Sequence, residues 1–86
     1  MSKKEKLLER IQQKPIIKNF KKIELDKLMN KCGCEKYQGG RGSGIGYKHI
    51  KSNLTVQFDE PHPGDELYVY QVKMVLQFLK DIGEID

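Results

Sequence analysis

The chain has 86 residues and only two imidazoles, His49 and His62. Near them in sequence stand Arg41, Ser43, Lys48 and Lys51, which can bond phosphate oxygens through guanidinium, hydroxyl and ammonium groups. Imidazole exchanges protons near neutral pH, so either histidine can serve as a general acid or base. Acid–base cleavage of a phosphate ester without a metal requires a base for the attacking hydroxyl's proton, an acid for the leaving oxygen and cations for the charge that builds on phosphorus. His62 and His49 are therefore the candidate catalytic residues, with Arg41, Ser43, Lys48 and Lys51 as candidate contacts to a phosphate backbone.

Each candidate also has a plainer reading. His49 fits a strand histidine packed or hydrogen-bonded on the helix side of a sheet, and His62, between Pro61 and Pro63, fits a residue that locks a loop. Strand alternation points Lys48 away from Tyr47 and His49, so Lys48 and His49 cannot share a face. Tyr47, Tyr68 and Tyr70 suit base stacking or a core. Asp59, Glu60, Asp65 and Glu66 suit a hard cation, but a solvated acidic loop or a charge bias at a helix N-terminus accounts for them as well. Neither a metal nor a cofactor is expected.

The run 39–46 contains Gly39, Gly40, Gly42, Gly44 and Gly46. Tyr47 separates Gly46 from Lys48, which breaks the P-loop pattern, and no register supplies the i, i+2, i+5 glycines of a dinucleotide fingerprint. What remains is a basic, pliable turn that suits a phosphate backbone, or a hairpin loop in which glycine only tolerates positive φ. Cys32 and Cys34 lack the second ligand pair of a structural zinc site and read as reduced thiols. The N-terminal Met-Ser-Lys-Lys-Glu-Lys has no apolar stretch for a signal peptide and no run approaches membrane-spanning length, so a cytoplasmic protein is expected.

Composition sets the outer limits. With 37% hydrophobic and 33% charged residues the chain reads as one folded domain, too small for a deep interlobe cleft. The net charge of +4 is uneven: residues 1–58 carry 14 Lys/Arg against 5 Asp/Glu, and residues 59–86 carry 2 against 7. A body at +9 favours a polyanion through counterion release, although an acidic partner protein suits the same surface.

The elements that must position these residues follow from periodicity. Residues 3–13 form a charged helix with Leu7, Leu8 and Ile11 on one stripe, stopped by Pro15. A helix over 22–32 places Leu25, Leu28, Met29 and Cys32 at i, i+3, i+4 and i+7, with Gly33 as its cap. Residues 35–38, 45–50 and 54–58 read as three antiparallel strands, the last with Leu54, Val56 and Phe58 on one face. Residues 59–66 form a loop, and a helix over 69–82 carries Val69, Val72, Val75, Leu76, Leu79 and Ile82 inward. The predicted class is α+β, with both later helices on one sheet face and a cationic opposite face open to a ligand.

In order and spacing the chain resembles the HicA toxins of bacterial type II toxin–antitoxin systems, over about residues 20–85. The resemblance is carried by Ile23-Glu24-Leu25-Asp26-Lys27-Leu28-Met29, the turn Arg41-Gly42-Ser43 and the strand Tyr47-Lys48-His49. It continues through Pro61-His62-Pro63-Gly64-Asp65-Glu66-Leu67 and Tyr70-Gln71-Val72-Lys73-Met74-Val75-Leu76, closing at Gly83. It implies a fold similar to a double-stranded-RNA-binding domain and a division into a helical extension, 1–19, and a HicA-like domain, 20–86. It also implies a translation-independent mRNA endoribonuclease neutralised by a small antitoxin, HicB, encoded beside it. Many members place the catalytic histidine directly after the Gly-Ser of the turn. The matching position here is Gly44, which cannot exchange a proton, and the chain resembles a branch with Pro-His-Pro loops that also lacks that histidine. A non-catalytic RNA-binding module and a protein-interaction domain therefore stand as alternatives to the enzyme.

Overall fold

Period-two patterning in three short segments yields a three-stranded meander. In the computed structural model, which describes residues 2–38, 44–61 and 64–86, strand β1 (Cys34–Gln38) pairs antiparallel with β2 (Gly44–His49), and β2 with β3 (Thr55–Asp59). The register sets Cys34 opposite His49, Tyr37 opposite Gly46, Tyr47 opposite Val56, and Gly44 opposite Asp59. Cys34, Ile45, Tyr47, Val56 and Phe58 therefore share one face, and all are buried. Glu35, Tyr37, Gly46, Lys48, Thr55 and Gln57 share the other.

Three helices complete the chain: α1 (Lys3–Ile11), α2 (Lys22–Lys31) and α3 (Val69–Asp81). Leu25, Leu28 and Met29 of α2 and Val72, Val75, Phe78 and Leu79 of α3 join the buried sheet residues in one apolar cluster, so both helices cover the same sheet face. The architecture is the predicted α+β arrangement, helix, three-stranded antiparallel sheet and helix in the manner of a double-stranded-RNA-binding domain, with an extra N-terminal helix. Helix ends obey local chemistry. Ser2 Oγ accepts from Glu5 N–H at 3.1 Å at the start of α1, and Gly33 and Gly83, at φ +78° and +82°, take the left-handed step that ends α2 and α3.

Some details differ from the expectation. Leu54 lies one residue before β3 and is 42% exposed, because the hairpin turn runs through it and releases its side chain from the sheet. Val69, the first residue of α3, is also exposed, whereas Phe78 and the polar Gln71 are buried. The N-terminal segment is more than a decoration: Ile11, Ile17 and Phe20 all belong to the core cluster. Among the described residues, no helix is long and apolar enough to cross a membrane.

Candidate functional site

Strand register decides which candidates meet. β2 enters the sheet at Gly44, and Gly44 pairs with Asp59 at the exit of β3, so the start of β2 and the end of β3 lie at the same end of the sheet. Arg41, Ser43 and His62 lie outside the described residues. His49 and Lys51 belong to the other end, five or more residues along, at about 3.3 Å per strand residue.

The loop after β3 is fastened on both sides. Gln71, fully buried on α3, donates from Nε2 to the Asp59 carbonyl at 2.6 Å and accepts at Oε1 from Tyr68 N–H at 2.9 Å. One amide thus ties the end of β3 to the start of α3. On the far side Lys22 N–H donates to the Asp65 carbonyl at 2.7 Å, Leu67 N–H donates to the Phe20 carbonyl at 2.8 Å, and Lys21 bridges Glu66 antiparallel. Lys22 Nζ also pairs with Glu60 at 3.4 Å. Glu60 on one side and Asp65 to Leu67 on the other are thus tied to α2 and the segment before it.

His49 is placed differently. It shares the helix-side face with Tyr47 and Cys34, and its Nδ1 lies 2.8 Å from Ser52 Oγ. Ser52 Oγ also accepts from Leu54 N–H at 3.2 Å, while the backbones of His49 and Leu54 close the turn at 2.8 Å. Asn53, at φ +63°, supplies the left-handed step. Lys48 points to the opposite face, as alternation requires, and Lys51 sits in the turn after it.

The open sheet face is not the cationic plane expected from composition. Lys48 stands directly across from Glu35, and Asp59 closes the other end of β3, so among the described residues carboxylates there outnumber ammonium groups. Among the described residues most basic side chains lie on the helices instead, and Lys36 of β1 pairs with Asp26 of α2 on the helix side. The most prominent group on that face is one that charge and histidine counting overlooks: Tyr37, whose ring passes over Gly46 and whose hydroxyl donates to Gln57 Oε1 at 3.2 Å. An alternating β1 facing a glycine of β2 is the sequence signal for it.

Other groups take structural roles. Tyr47 is in the core and its hydroxyl donates to Asp26 on α2, with burial and then the Asp26 carboxylate raising its pKa far above the ordinary phenol. Tyr68 and Tyr70 are exposed with rings stacked 6.0 Å apart. Burial pushes the Cys32 thiol up to about 12 and Cys34 to about 11, reinforced by nearby Glu84. Among the described residues no three His, Cys, Asp or Glu side chains converge as a cation site, and Glu60 is paired with Lys22.

The architecture, a three-stranded antiparallel sheet covered on one face by α2 and α3, defines a small α+β domain whose fold is like that of a double-stranded-RNA-binding domain. The family described as the HicA toxin of bacterial toxin–antitoxin systems matches residues 24–83, and the chain belongs to that family. It is thus the toxin component of a toxin–antitoxin partnership. Neither the curated proteins nor the solved structures yield a match.

Proposed function

We propose that this HicA-family toxin binds mRNA and cuts it without a metal, and that a HicB-like antitoxin neutralises it in the cytoplasm. The observation that supports this reading is the Gly44–Asp59 pairing, which sets the residue next after Ser43 in sequence beside the last residue of β3, three before His62. In this assignment His62 exchanges the proton, and Arg41 and Ser43 hold the scissile phosphate. Lys48, four residues or about 13 Å along β2 from Gly44, and Lys51 hold neighbouring phosphates. His49 keeps the hairpin closed through Ser52.

The test is incubation of the purified protein with single-stranded RNA in EDTA. Wild-type protein should cut the RNA, and His62→Ala should abolish cutting while retaining binding. Uncut RNA with clean wild-type protein removes the enzyme reading.

Gly44 favours a second reading. At the position where the resemblance implies the catalytic histidine, this chain has a side chain that cannot titrate. Under that reading the protein sequesters RNA, or meets an acidic antitoxin, without cutting. RNA binding without cleavage, unaltered by His62→Ala, identifies the first; a stable antitoxin complex with no RNA affinity in the free protein identifies the second.

A further inference from the structure

The four lysines that converge between α1 and α2 are used by none of the groups above. A groove of about 280 Å³ opens between these helices, lined by Lys3, Lys6, Leu7, Glu24, Lys27 and Lys31. The spacing explains the convergence: Lys3, Lys6 and Leu7 lie on one face of α1, and Glu24, Lys27 and Lys31 on one face of α2. The helices run antiparallel, because Arg10 in the last turn of α1 meets Glu24 in the first turn of α2 while Lys3 and Lys31 line the same groove.

Glu24 is the one carboxylate in this lining, and it is already engaged. Arg10 Nε donates to Oε2 at 2.6 Å and Arg10 Nη2 to Oε1 at 3.2 Å, while Lys21 N–H donates to Oε1 at 3.1 Å. Lys4, Lys22 and Lys36 pair with Glu84, Glu60 and Asp26. Lys3, Lys6, Lys27 and Lys31 form no ion pair with any described residue. Like charges on adjacent helix faces repel and weaken the pairing of the helices unless an anion lies between them.

The chemistry of the lining selects the anion. Protein interfaces favour Arg, Tyr, Trp and Met and are poor in lysine, and this groove supplies four lysines around one leucine. It also lacks an amide, guanidinium or aromatic ring free to read a base edge, so its contacts are to backbone phosphate and blind to sequence. Its position suits a continuous chain: the Glu24 end lies within a turn of Lys22, whose backbone holds Asp65 of the His62 loop, and α2 rises about 10 Å from there to Lys31.

We propose that the α1–α2 groove is a phosphate track that holds the single-stranded RNA backbone leaving the loop end of the sheet. This rests on the RNA reading above, and it adds a contact surface built half from residues that precede the family match at 24.

The test is a salt series with a labelled single-stranded oligouridylate, comparing wild type with a variant carrying Lys3→Gln, Lys6→Gln, Lys27→Gln and Lys31→Gln. At about 0.7 per neutralised phosphate, the slope of log K against log salt should become shallower by about 3, and affinity should fall alike for oligomers of other sequence. The two pairwise variants, one per helix, should each take about half of that and keep the proposal testable if the fourfold variant misfolds. A Lys73→Gln, Lys80→Gln variant on α3 should leave the slope within experimental scatter. RNA binding whose slope the groove variants do not change, or change no more than the α3 variant, overturns the track and leaves the RNA reading intact. Absence of any RNA binding by wild type overturns both, and loss of an acidic protein partner in the groove variants would then assign the surface to that partner.

Discussion

The Tyr37 ring lies across Gly46 so closely that a methyl group at position 46 would stand 2.5 Å from Cζ, 2.7 Å from Cε2 and 2.8 Å from the hydroxyl oxygen. Those separations are well inside van der Waals contact, so any side chain at 46 must push the ring aside. Gly46→Ala should displace Tyr37, break its bond to Gln57 and lower stability by about 1–3 kcal/mol. Once Tyr37→Ala has removed the ring, the same change at 46 should cost little. Urea unfolding of the two single variants and the double variant checks this; strictly additive losses would contradict the contact.

Gln71 is the second expected weak point. Replacing it with leucine keeps the volume but strips the Asp59 carbonyl and the Tyr68 N–H of their partner. The expected loss is about 1–3 kcal/mol, with faster amide exchange confined at first to residues 60–68. Unchanged exchange there would show that the loop is held by its α2 side alone.

The Arg10–Glu24 pair should give stability a pH dependence with a definite sign. The Arg10 hydrogen bonds hold the Glu24 carboxyl below its ordinary 4.5, despite the opposing effect of burial. A carboxyl depressed in the folded state stabilises above its unfolded pKa, and that contribution disappears as pH falls through the folded value. Both side chains are partly exposed, so the contribution is about 1 kcal/mol or less. Wild type should exceed Glu24→Gln in stability at pH 6, and the two should converge as pH drops below 4; a constant gap would contradict the assignment.

Both cysteines should be inert in the native protein. With Cys32 at about 12 and Cys34 at about 11, the thiolate fraction at pH 8 is about a thousandth or less. A colorimetric disulfide reagent should label neither at pH 8 until denaturant is added, and then both. Rapid native labelling would show that the thiols are not held in the core.

The two histidines should separate cleanly. His49→Ala removes the Ser52 contact and should cost about 1 kcal/mol while leaving RNA cleavage in place. If cleavage is lost in His49→Ala and kept in His62→Ala, the hairpin end of the sheet carries the chemistry.

Apolar spacing made much of this fold legible. Leu25, Leu28 and Met29, and Val72, Val75 and Leu79, announce the inward faces of α2 and α3 because a helix buries one stripe. The same rule misjudged Leu54 and Val69, since periodicity carries no information about where an element stops, and at an end the neighbour that would cover a side chain is missing. Gln71 was invisible for a different reason: its burial depends on a carbonyl at Asp59, twelve residues away. The site was legible only in part. Alternation separated Lys48 from His49, whereas Arg41 and His62, singled out by loop composition, lie outside the described residues. The charge of the sheet face was misread because a net charge says nothing about location. The lysine groove was hidden because it arises from the pairing of two helices, each of which alone looks like an ordinary solvated face.

Ile11, Ile17 and Phe20, all ahead of the family match at residue 24, occupy the interior alongside Leu28 and Leu79. Trimming the gene to the shared family span would leave an unfilled hollow beneath α2. For this toxin, the smallest unit able to fold by itself is therefore larger than the stretch by which its kinship is detected.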